Sequence, residues 1–234
     1  VLPEVTRAAV LAVAAGNPLA LAELPRFAGR IEYGPASLPL TARLVAVFGG
    51  RAGYLDDGVR ADLLRAALDG ITGGMAASRS RFVIGNGESA VAAGLLVVDA
   101  SGQYVFRHPL VRAAVVHQAS PAERRAAHRD LAGLYPDVLF RRATHLAAAA
   151  VEPDQEVADL LEQAAELSIR RGGLPVAVEW LRRAAQLSSE PGRGSALLAE
   201  AVFVAARAGR PGEVTELVDS TVTAADSAHA ALAD

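Results

Sequence analysis

Leu95-Leu96-Val97-Val98-Asp99-Ala100-Ser101-Gly102-Gln103-Tyr104-Val105-Phe106-Arg107-His108-Pro109-Leu110-Val111-Arg112 is the stretch on which the fold turns. Two short apolar runs flank Asp99-Ala100-Ser101-Gly102, a cluster of turn-forming residues, so the segment predicts a β-hairpin. Immediately after it, Pro109 stands where a first helical position would fall. Proline is favoured there because its missing N–H had no intrahelical partner to lose. The hairpin therefore hands over directly to a helix.

Working backwards, 40–48, 59–68 and a short piece at 88–93 ending on Gly94 read as helices. Three helices and then a hairpin is the order of a winged-helix domain. The glycine-rich stretch 69–87 lacks apolar periodicity and reads as a long loop or wing. Further upstream, Val5, Ala9, Ala12 and Val13 recur at helical spacing over 3–15. Gly16 then suits a helix C-cap, Asn17 an N-cap and Pro18 a first helical position. Gly16-Asn17-Pro18 thus predicts a sharp break before a second helix running to about Phe27. A loop punctuated by glycine and proline follows over 29–37.

Working forwards, everything after His108 reads as helix. Ser120-Pro121-Ala122-Glu123 is a capping box. Helices are expected at 137–150, 154–171, 175–187, 195–208 and 213–224, with another beginning in 224–234. Their apolar faces are Val157, Leu160, Leu161, Ala164 and Ser168; then Ala177, Trp180, Leu181, Ala184 and Leu187; then Leu197, Ala201, Val204, Ala205 and Ala208. Pairing Leu161 with Leu198, Ala164 with Ala201 and Leu181 with Val218 gives a period of 37 residues. That is near the ~34 of tetratricopeptide repeats. The fold class expected is mainly α: a winged-helix-like segment with a small β-hairpin, then a tetratricopeptide-like helical array. The domain divisions expected are 1–37, a lid-like helical end; 38–118, winged-helix-like; and 119–234, an incomplete array.

Composition agrees with stacked helices. Hydrophobic residues make up 52% and charged residues 21% of the 234, with aromatics at only 5%. Alanine dominates the apolar fraction, and alanine is the best helix former. The net charge of −3 argues against general nucleic-acid affinity, and the absence of cysteine excludes disulfides and thiolate chemistry. All 23 Lys+Arg residues are arginine. A P-loop needs the lysine of Gly-x-x-x-x-Gly-Lys-Ser/Thr to hold nucleotide phosphates, so these residues cannot supply one. No apolar run approaches the ~20 residues of a membrane span. The opening Val1-Leu2-Pro3-Glu4 has no Met and no basic leader, which points to a piece of a longer, cytoplasmic protein.

The order of these motifs resembles a known family. Ala14-Ala15-Gly16-Asn17-Pro18-Leu19-Ala20-Leu21-Ala22-Glu23-Leu24-Pro25 is similar to the Gly-x-Pro segment of STAND signalling ATPases. Leu38-Pro39 and Ala93-Gly94-Leu95-Leu96-Val97 look like their winged-helix segment. Phe106 to Val115, Pro121 to Ala132 and Arg142-Ala143-Thr144-His145-Leu146-Ala147 continue the match. Within STAND proteins the chain looks like the large ATP-binding LuxR-type transcriptional regulators of actinobacteria, relatives of the maltose activator. The resemblance implies a nucleotide-controlled conformational switch rather than an enzyme. An ATP/ADP-binding P-loop domain would precede these residues, and a DNA-binding helix-turn-helix would follow them. The isolated residues would bind nucleotide poorly, an inducer or partner protein would meet the array, and oligomerisation is compatible. The competing expectation is a tetratricopeptide-like interaction scaffold with no nucleotide or DNA role.

The resemblance singles out Gly16, Asn17 and Pro18, packing against adenine, and His108, contacting the β-phosphate of ADP. A histidine suits that task because it donates a hydrogen bond and titrates near neutrality. Capping explains the same residues without any ligand. Arg107, Arg112, Arg124, Arg125 and Arg129 form a basic stretch, which reads as a solvated helix face rather than a DNA contact. His117, His128 and His145 lack metal-ligand spacing. Asp56-Asp57 reads as a pair of helix-start acids, and Trp180 as core between array helices.

Overall fold

The computed structural model describes residues 4–26, 40–70 and 82–218. Among these, the chain is mainly helical with one small two-stranded antiparallel sheet. It divides into two compact units, Val1–Leu134 and Tyr135–Asp234.

In the first unit, α1 (Glu4–Ala14) buries Val10, Val13 and Ala14, while Ala12 is exposed. The expected apolar stripe was therefore misplaced at Ala12: a helical turn carries Val10, Val13 and Ala14 onto one face, and Ala12 falls outside it. After the break, α2 (Pro18–Glu23) is short and tightens into a 3₁₀ turn over 24–26. Thr41 caps α3 (Ala42–Gly49), its hydroxyl accepting from the Leu44 N–H at 3.3 Å. Leu24, Leu44 and Leu110 close a core shared by α1, α2, α3 and α6 (Pro109–Gln118). Each is fully buried, and each contributes about 1.5–3 kcal/mol of apolar transfer.

A second core lies beneath α4 (Asp57–Asp69), α5 (Glu88–Ala92), the sheet, α6 and α7 (Pro121–Leu134). The hairpin forms as expected: β1 (Leu96–Val98) pairs with β2 (Tyr104–Phe106) in the register Leu96↔Phe106, Val97↔Val105, Val98↔Tyr104. Asp99 Oδ1 holds the turn by accepting from Ser101 N at 2.8 Å and Gln103 N at 3.0 Å, and Gly102 supplies the left-handed φ of +79°. These bonds hold the Asp99 carboxyl below its usual range, the Ser101 side chain contributing most. Asp57 lies in the first turn of α4 and pairs with Arg60 at 2.7 Å, as a helix-start acid would.

The capping box forms in both directions. Glu123 N–H donates to Ser120 Oγ at 3.2 Å, and Ser120 N–H donates to Glu123 Oε2 at 2.7 Å. Helix α7 was expected to open the array. Instead its Ala127 and Leu131 enter the second core, and Arg65 of α4 holds Asp130 at 2.7 Å. The division therefore falls after Leu134, not after 118. Within 1–37 the described helices α1 and α2 share a core with α3 and α6. Most of the expected loop 69–87 and all of 29–37 lie outside the described residues, as does the tail 224–234.

The second unit stacks α8 (Leu139–Ala149), α9 (Gln155–Arg170), α10 (Leu174–Leu187) and α11 (Pro191–Arg207), followed by a helical stretch over 211–218. Helix α11 starts four residues before the expected 195, because Pro191 occupies its first turn. Leu161, Ala164, Leu181, Ala184 and Ala201 are buried in its core. Polar ties join alternate helices: Arg183 of α10 donates to the carbonyls of Ala147 and Ala150 at the end of α8, at 2.9 and 3.1 Å, and Arg193 of α11 pairs with Glu162 of α9. The expected pairing of Leu181 with Val218 is corrected. Leu217 is buried and Val218 is 42% exposed, so the core register at this point is one residue shorter than 37. Trp180 is only partly buried, tilted against Phe140 with ring centroids 6.4 Å apart.

Candidate functional site

The residues singled out by sequence converge in the first unit. Helix α1 ends with Ala15 at φ 43° and Gly16 at φ 80°. Two consecutive left-handed residues reverse the chain sharply. Glycine adopts this conformation freely, whereas Ala15 pays about 1–2 kcal/mol for its Cβ. Ala15 is the one non-glycine residue at positive φ among the described residues. Asn17 N–H then donates to the Ala14 carbonyl at 2.8 Å, while Asn17 Oδ1 accepts from Ala20 N–H at 3.0 Å. The capping roles expected of Gly16, Asn17 and Pro18 are all present.

His108 is the N-cap of α6, its Nδ1 accepting from Leu110 N–H at 3.1 Å. An accepting Nδ1 leaves the proton of a neutral ring on Nε2. The ring stacks on Phe48 with centroids 5.0 Å apart. Nε2 is buried and makes no hydrogen bond of full geometry. Burial pushes the His108 pKa below the ordinary histidine value, and attraction to the backbone carbonyl of Ala14 partly opposes the shift. Ala14 is the last residue of α1 and sits directly before the Ala15-Gly16 reversal. One imidazole therefore caps α6 through Nδ1 and stacks on Phe48, with Nε2 buried.

The neighbouring arginines do not form one solvated face. Arg112 is largely buried, its Nε donating to the Ala67 carbonyl at 2.8 Å near the end of α4. Burial lowers its pKa, and the charge of nearby Asp69 opposes this. Arg124 donates to the Val116 carbonyl at 3.3 Å, whereas Arg107 and Arg129 are exposed. Sequence reasoning missed the role of Arg112, which only the approach of α4 to α6 creates. Its trace is Gly70, where a Cβ would lie 2.2 Å from Arg112 Nη2. Sequence reasoning also missed Phe48, whose partner is 60 residues away.

A separate cleft of about 440 Å³ opens between α4, the end of α6 and α7, and none of the candidate residues lines it. In the second unit His145 is fully buried, stacked with Tyr135 at 6.1 Å. Among the described residues no group of three or more His, Asp or Glu could hold a metal ion, and no helix is long and apolar enough to cross a membrane. The described residues define a mainly helical protein in which a histidine-capped helix shares a core with the helix that ends at the Gly16-Asn17-Pro18 break. No family model, curated protein or solved structure matches the chain.

Proposed function

We propose that these residues are the regulatory and sensor portion of an ATP-dependent LuxR-type transcriptional regulator, acting as a nucleotide-controlled switch. One observation carries the reading: the helix that His108 caps shares a core with the end of α1, beside the Gly16-Asn17-Pro18 break. Because Nδ1 is committed to the cap, Nε2–H is the ring's remaining donor, and a phosphate oxygen of ADP is a natural acceptor for it. Engaging that donor would draw on α6, whose Leu110 shares a core with Ala14 of α1, which couples nucleotide to helix arrangement. ATP or ADP would be held mainly by a P-loop outside this chain, with Pro18 beside the base. The winged-helix reading of α3–α6 and the hairpin, and the tetratricopeptide-like reading of α8–α11, belong to the same proposal. So do an inducer or partner protein at the array and DNA contact through a separate helix-turn-helix.

The test uses the intact polypeptide. His108→Asn keeps a capping acceptor but removes Nε2–H. It should release ADP about tenfold faster, since a hydrogen bond to a charged group is worth about 1.5–3 kcal/mol. Unchanged ADP release in both His108→Asn and His108→Ala refutes the role.

A second reading, a helical interaction scaffold, is favoured by one feature of α11. Phe203 is 62% exposed there, beside exposed Ala196, Ala199 and Ala206 at helical spacing. Partner capture that ignores nucleotide but is lost on Phe203→Ser would support it.

A further inference from the structure

The turn between α5 and β1 gathers two cations, and among the described residues neither pairs with an acid. Gly94 adopts φ +73°, which lets α5 stop and the chain enter the hairpin. Register then sets Arg107 beside this turn, its N–H donating to the Leu95 carbonyl at 3.0 Å just beyond the last strand pair. Arg51 arrives from the end of α3, and its Nη1 donates to the Ala93 carbonyl at 3.1 Å. A Cβ placed on Gly94 would meet Arg51 Nη1 at 3.0 Å and Arg107 Nη1 at 3.4 Å. Both guanidinium groups therefore flank one point, over a residue with no side chain. Both arginines are exposed, and neither forms an ion pair among the described residues.

Like charges held this close repel unless an anion lies between them. Among the described residues Arg60, Arg65, Arg170, Arg182, Arg193 and Arg210 pair with carboxylates, whereas Arg51 and Arg107 face each other instead of an acid. Arg51 spends one N–H on a helix-end carbonyl, a favourable place for a cation. The Arg107 guanidinium makes no hydrogen bond among the described residues, so its donors and the rest of Arg51's remain available. A tetrahedral oxyanion has several oxygens on one centre and can accept from two guanidinium groups at once, at N–H···O distances of about 2.7–2.9 Å.

We infer that Arg51 and Arg107, converging over Gly94, form a binding site for a phosphate-type anion, either free phosphate or the terminal group of a small phosphate monoester. The site does not depend on the nucleotide reading: it uses neither His108 nor the Gly16-Asn17-Pro18 break. The anion would tie the end of α3 to the hairpin by replacing repulsion with two charge-assisted contacts.

The experiment is a titration of the 234-residue chain at low ionic strength with inorganic phosphate and, separately, with glycerol 3-phosphate, followed by calorimetry and by the shift in unfolding temperature. Phosphate should bind saturably and raise the unfolding temperature of the wild type. Arg107→Gln should weaken binding at least tenfold and abolish the temperature shift. Without phosphate, the same variant should melt no lower than wild type, because it removes a repulsion and no described bond. Arg51→Gln should weaken binding comparably, and the control Arg129→Gln should not. Tighter binding of inorganic phosphate than of glycerol 3-phosphate assigns the site to the free ion; the reverse assigns it to a monoester. Equal, salt-screened attraction in wild type, Arg107→Gln and Arg129→Gln overturns the inference.

Discussion

Replacing His108 separates its structural work into parts that can be measured. His108→Ala removes the cap on α6, which costs about 1 kcal/mol within a range of about 0.5–2. It also removes the stack on Phe48, formed at 5.0 Å between centroids, for a further ~0.5–1.5 kcal/mol. Against this, the substitution deletes Nε2, a buried polar atom without a well-formed hydrogen bond, and so recovers about 1 kcal/mol. The net expectation is a loss of about 0.5–1.5 kcal/mol. His108→Asn keeps a side-chain acceptor for the Leu110 N–H and should lose about 1 kcal/mol less. Urea unfolding followed by far-ultraviolet circular dichroism at pH 7.5 measures both, provided the m values agree. The difference between the two variants is decisive, because stacking and the orphaned nitrogen are lost in both. If Asn is as damaging as Ala, the Nδ1 cap is not what His108 contributes.

The same residue sets a pH dependence. Its folded pKa is depressed by burial, so the unfolded chain takes up the proton first as pH falls. The stability that neutral His108 supports is complete above about pH 6.5 and is lost as pH falls through its folded value. Between pH 7.5 and 5, stability should fall less steeply in His108→Asn than in wild type; equal slopes contradict the assignment. Gly70→Ala should cost about 1.5–3 kcal/mol, the value of a charged hydrogen bond, by pushing Arg112 off the Ala67 carbonyl that it holds at 2.8 Å. In an Arg112→Met background that cost should largely disappear, and a cost unchanged by the background would refute the clash.

Much of the local structure was legible because its causes lie within a few residues. Ser120 and Glu123 satisfy each other's backbone, Asp99 folds its own turn, and Asn17 caps the helix that begins one residue later. The apolar faces of α9 and α10 were readable for the same reason, since a helix repeats its own surface every few residues. The candidate site was half legible. Sequence marked Gly16, Asn17, Pro18 and His108 one by one, and capping chemistry accounts for each.

Sequence by itself thus determined that most of the described segments are helical, where the capped helices begin, and where the hairpin turns, because propensity, capping and turn chemistry act over a handful of neighbours. Tertiary structure alone decided that α7 packs with α4, that Leu217 rather than Val218 enters the core, and that Arg112 lies over the end of α4. It alone set His108 against Phe48, and Arg51 beside Arg107. These arrangements join residues tens of positions apart. They depend on how whole helices share buried surface, a property of packing that no local window of sequence contains.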